Sequence, residues 1–172
     1  MKKTILFALI SFMMVSLKVS SQTISVFLCD ANGSYTNIRN APNGKIVDKI
    51  STRKEAIFEL KTPRDGWWRI DDDEYELVGD DDEIVKLKGS KTGYWIHHSC
   101  VGYGTRNYGG QHIHLRSTPS SKGKVVYTFT EELLVHPLDV RGSWVKVKTG
   151  DGKHTGWIDS FWLCSNPLTN CC

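Results

Sequence analysis

The sequence predicts an all-β protein, two small antiparallel barrels in tandem behind a cleaved export signal. Three observations predict it. The chain repeats itself: with Arg39 laid over Arg116, an offset of 77, Ile38 falls over Leu115, Pro42 over Pro119, Trp67 over Trp144 and Ile70 over Val147. Its apolar runs are short, alternate with period two, and are cut by Pro/Gly/Asn/Ser clusters. Beyond residue 21 no segment carries a helical period.

The elements follow in chain order. Lys2 and Lys3 precede an apolar run, Ile5 to Leu17, too short for an ordinary membrane span. Val19 and Ser21 suit the −3 and −1 positions of a signal-peptidase site, so residues 1–21 are read as a signal peptide and Gln22 as the mature start. No later run is long enough to span a membrane, which implies a periplasmic or secreted protein. The chain has 22 Lys and Arg against 19 Asp and Glu; three of those cations and no acid fall in 1–21, leaving 19 against 19. With no basic stripe to neutralise phosphates, nucleic acid is excluded as a partner class.

In the first copy, residues 22–101, "TNIRN" alternates into a Pro turn, and "KIVDKI" and "WWRI" supply further strands. The copies fall out of register at the turn after Pro42 and Pro119, which implies a slip of one or two residues there. An acidic stretch, "DDDEYELVGDDDEIVKLKGSK", then interrupts the first copy. Trp95 answers Trp157 at an offset of 62, so the insertion is 15 residues long. It is read as a solvated hairpin around "YELV" whose charge discourages edge pairing. The second copy, 102–164, repeats the pattern with "IHLRS", "KVVYTF" and "SWVKV"; residues 165–172 form a Cys-containing tail. "VGYGTRNYGGQ" is read as a short linker between packed barrels.

These elements resemble the bacterial SH3-like (SH3b) family: Ile38, Arg39, Ala41 and Pro42, then Gly66, Trp67 and Ile70, then Gly93, Trp95 and Ile96. The second copy offers Leu115, Arg116, Thr118 and Pro119, then Trp144 and Val147, then Gly156, Trp157 and Ile158. The resemblance implies a partly open barrel used as a noncatalytic attachment module, one that binds peptidoglycan peptides or other extracellular ligands.

Candidate ligand contacts are Trp68, Tyr94, Tyr103 and Tyr108, which fall outside the repeat, together with Trp95, Trp157, Arg39 and Arg116 within it. Aromatic faces give contact area at low entropy cost, and a guanidinium fork suits a carboxylate. For the repeated Trp and Arg positions the structural reading, barrel packing and turn fixing, is the favoured one. The acidic cluster does not match an EF-hand spacing, and His112 and His114 share a strand face without a third ligand, so no metal and no cofactor are expected. Five cysteines, in an oxidising compartment, favour disulfides; Cys29 with Cys100, and Cys164 with Cys171 or Cys172, are pairings that spacing alone leaves open. No nucleophile motif is present, and two repeats leave no room for a catalytic domain, so no enzyme is expected. The expected function is binding of a cell-wall peptide or an envelope protein. The alternative is an inhibitor or immunity-type protein that grips an exported protein through the acidic insertion.

Overall fold

The computed structural model describes residues 22–79 and 82–169. The expected signal peptide, Asp80, Asp81, Cys171 and Cys172 lie outside the described residues.

The first half contains β1 (Ile24–Leu28), β2 (Tyr35–Arg39), β3 (Ile46–Ser51), β4 (Ala56–Arg64), β5 (Trp67–Ile70), β6 (Glu74–Leu77), β7 (Glu83–Lys86) and β8 (Trp95–His97). The rest comprises β9 (Val101–Thr105), β10 (Ile113–Arg116), β11 (Val125–Phe129), β12 (Leu134–Arg141), β13 (Trp144–Thr149), β14 (Thr155–Asp159) and β15 (Leu163–Cys164). Single 3₁₀ turns stand at Asp71–Asp73, His98–Cys100 and Ser160–Trp162. All pairings are antiparallel, as short connections require. The expected all-β class is what the chain adopts.

The strand order is β11-β10-β14-β13-β12-β9-β1-β4-β5-β8-β2-β3. Outward from the central β9–β1 pair, both directions trace the same ladder: β1-β4-β5-β8-β2-β3 on one side, β9-β12-β13-β14-β10-β11 on the other. The sequence offsets reappear as registers. Val26 faces Phe58 as Tyr103 faces Val135, and Trp68 faces Ile96 as Val145 faces Ile158. Both copies shift register just before the repeated Arg, between Ile38 and Arg39 and between Leu115 and Arg116. Such a bulge bends the strand and lets a small barrel curl.

β9 is used twice. It closes the first half by pairing with β1, Leu28 opposite Val101, and opens the second by pairing with β12, Val135 opposite Tyr103. The expected linker therefore begins with a strand, and the expected boundary at 101/102 runs through it. Glycines in "VGYGT" hide the alternation that would have marked it. Gly102 is needed there: a Cβ would sit 2.8 Å from the Val135 carbonyl oxygen and 3.0 Å from the Cys29 sulfur.

The acidic insertion forms the β6–β7 hairpin, docked on the start of β4 through Ala56 opposite Leu77. Tyr75 packs on Phe58 at 5.4 Å, and the acids at its base are matched, Asp71 by Lys61 and Asp73 by Arg69. One core runs through both halves, from Ile38, Phe58, Leu60 and Trp68 to Leu115, Val135 and Ile158. Across the seam the Trp68 indole Nε1 donates to the Pro137 carbonyl at 2.9 Å, joining β5 to β12.

Candidate ligand grooves

The repeated side chains sit at the turns and strand ends. Arg39 donates from Nη1 to the Gly44 carbonyl at 2.6 Å and lies 5.6 Å from the Trp67 ring centre. Arg116 donates likewise to Gly123 at 2.9 Å. The Arg-to-Gly spacing is five residues in one copy and seven in the other, so the turn carries the slip. Trp95 and Trp157 are nearly buried, each with an Arg over its ring: Arg64 at 5.0 Å, Arg141 at 5.4 Å.

Three candidates chosen as surface contacts lie inside instead. Trp68 is fully buried, because it fills on β5 the core position that Val145 fills on β13. Tyr94 is 2% exposed, its hydroxyl accepting from the Ser90 N–H. Tyr103 is buried on β9; desolvation, reinforced by Glu59, pushes its phenol well above the ordinary range. None of these three presents a face to a ligand in this arrangement. Tyr108, at 40% exposed, does.

Two open spaces lie along the seam. A groove of about 360 Å³ is bounded by Phe27, Leu28 and Glu55 of the first half, Tyr108, and Glu132 and Pro167 of the second. Another, of about 270 Å³, is lined by Cys29, Asn32, His98, His136 and Lys148. The two differ in polarity: the first carries carboxylates and the second an ammonium. Glu55 and Glu132 had no signal in the sequence, since each sits in a charged turn indistinguishable from its neighbours.

Around the second groove His97, His98, Cys29 and Cys100 are held neutral by burial. His97 and His98 rings lie 4.5 Å apart, and His98 and His136 6.3 Å. Burial, then the neighbouring His97, His136 and Lys148 charges, lower His98 to about 4. His98 Nδ1 is buried without a hydrogen-bond partner among the described residues. Burial likewise raises the Cys29 and Cys100 thiols to about 12. Cys29 Sγ lies 3.8 Å from His136 Nδ1, but that nitrogen is also 2.8 Å from the Val101 carbonyl oxygen, so it holds its proton for that bond. A protonated thiol beside an imidazole already engaged is not an activated nucleophile.

The other sequence candidates are scattered. His114 Nδ1 is 2.8 Å from Thr128 Oγ1, and no three His, Cys, Asp or Glu side chains among the described residues form a metal-binding group. Cys29 and Cys100, expected as a disulfide, stand as free thiols. Cys164 is engaged, while its expected partners lie outside the described residues. No described helix is long and apolar enough to cross a membrane.

A family model, the bacterial SH3 domain, matches residues 112–163, so an SH3-like domain occupies the second half. No curated protein matches the chain. Among solved structures, NlpC1 from Trichomonas vaginalis aligns over 90% of this chain and 50% of its own, at 12% identity and a TM-score of 0.31. The chain thus spans about half the length of that protein.

Proposed function

We propose that this protein is an exported, noncatalytic binding protein whose two halves are both SH3-like barrels, and that it takes a cell-wall peptide in the Tyr108 groove. The observation that carries this reading is the groove's make-up. Both halves line it, one exposed aromatic ring supplies stacking area, and Glu55 and Glu132 supply negative charge. Wall peptides carry free amines, which such a groove suits. The bacterial SH3 match in the second half supports the ligand class. In an oxidising compartment the tail closes through Cys164 with Cys171 or Cys172.

The test is cosedimentation of the 22–172 chain with purified peptidoglycan sacculi at low and moderate salt. Binding that persists with salt and drops at least tenfold in Tyr108→Ala supports the reading. Absence of binding at both salts overturns it.

A second reading has its own support. The hairpin exposes Ile84 over a pocket of about 160 Å³ with Tyr75, Glu59 and Glu76, a surface an exported protein partner can grip. Replacing residues 74–86 by a short turn leaves sacculus binding intact under the first reading and abolishes partner binding under the second.

A further inference from the structure

Cys29 and Cys100 occupy a position with a counterpart in the second half. The 77-residue offset carries Cys29 to Arg106, and the 62-residue offset carries Cys100 to Trp162. The backbones agree: Cys29 N–H donates to the Cys100 carbonyl at 2.9 Å, and Arg106 N–H donates to the Trp162 carbonyl at 3.0 Å. Next along the ladder, Leu28 faces Val101 as Thr105 faces Leu163. Only the first half places cysteine on both sides of this rung.

We propose that Cys29 and Cys100 are a disulfide-forming pair that staples β1 to the shared strand β9. One step beyond the Leu28–Val101 pair, where the 3₁₀ turn His98–Cys100 leads into β9, the Cys29 N–H bond to the Cys100 carbonyl holds the two residues side by side. Cα atoms of residues opposed across neighbouring segments lie roughly 4.5–5.5 Å apart, inside the range of roughly 4.4–6.8 Å that a disulfide spans. Nothing essential is lost by turning the thiols toward each other. His136 keeps its bond to the Val101 carbonyl, and Asp30 keeps those from the Asn32 amide and the Thr36 hydroxyl.

The chemistry needs an oxidant, supplied by glutathione disulfide or the disulfide of an exported protein. Each cysteine loses its hydrogen, one S–S bond forms between them, and the oxidant's disulfide is reduced to two thiols. Thiolate is the attacking species, and a buried thiol near 12 is ionised at neutral pH to roughly one part in 100,000. The bridge therefore closes while the chain folds and, once buried, resists reduction.

The experiment starts from reduced, urea-unfolded protein, refolded in a glutathione redox buffer, alkylated, and mapped by digestion without reductant. The expected product is one cross-linked peptide pair holding Cys29 and Cys100, two hydrogens lighter than its parts. It persists when Cys164, Cys171 and Cys172 are all replaced by Ser. Reducing it lowers Tm by roughly 10 °C, as closure of a long loop in a chain of this size implies. That response disappears in Cys100→Ser. Recovery of both cysteines alkylated, or of either one joined to a tail cysteine, overturns the proposal. The outcome is independent of sacculus binding.

Discussion

The two halves share a ladder and differ in what they do at its rungs. The second half is the plainer copy: Val145 in the core, Ser160 and Asp159 at the closing turn, Arg106 and Trp162 at the last rung. At the same places the first half puts Trp68, His98 and His97, and the cysteine pair, and it inserts a hairpin between β5 and β8. Trp68, His98 and Cys29 differ where the halves meet, against Pro137 and His136, while the hairpin docks on β4 within the first half. The family model matches residues 112–163, within the plainer half.

The largest effect that tests this contrast is at Trp68. Trp68→Ala removes a fully buried indole and strands the Pro137 carbonyl, which costs about 4 kcal/mol in urea unfolding. Val145→Ala, its counterpart, costs about 2 kcal/mol. Equal losses would mean that the buried indole and its bond to Pro137 contribute no more than the valine does. Gly102→Ala comes next, at about 2 kcal/mol, since its Cβ meets the Val135 carbonyl. Gly104→Ala, with open space around the new methyl, stays within about 0.5 kcal/mol. A silent Gly102→Ala would show that β9 is not held between two strands in solution.

Arg116→Ala should lose about 1 kcal/mol with its turn bond, and Arg39→Ala about 1.5 kcal/mol, because it also leaves the Trp67 ring. Unequal losses, by more than twofold, would separate the copies where they look alike. The smallest effect is in the pH profile. His98 titrates near 4 in the folded protein and near 6.5 unfolded, so its contribution is present above pH 6.5 and falls away as pH drops toward 4. His98→Ser, which installs the second half's residue, flattens the melting temperature across that window. An unchanged slope would place the acid sensitivity elsewhere.

Much of this architecture was legible. The 77-residue offset, the slipped turn and the inserted hairpin each left residues that could be aligned, and each reappears as a register, a hydrogen bond or a strand pair. β9 was not legible, because Gly102 and Gly104 have no side chain with which to show alternation. The seam was equally hidden: Trp68 sits next to Trp67 in sequence, and nothing in that doublet tells which ring turns toward Pro137. Its place outside the repeat pointed to a ligand contact, whereas the ring is buried and bonded to Pro137 of the other half. Glu55 and Tyr108 meet only because the strands behind them pair, a relation between segments that no single window of sequence contains.

A strand that belongs to two barrels makes this chain a molecule with a joint rather than a hyphen. On β9, β15 sits where β9 itself sits on β1: Leu163 against Thr105 repeats Val101 against Leu28. The rule that adds a barrel is therefore recursive. Each unit ends on the strand from which the next can start, so a new unit needs one strand fewer than a free-standing barrel. It also arrives already oriented. Cutting such a chain before β9 leaves the first fragment without its closing strand, and cutting after β9 leaves the second without its first.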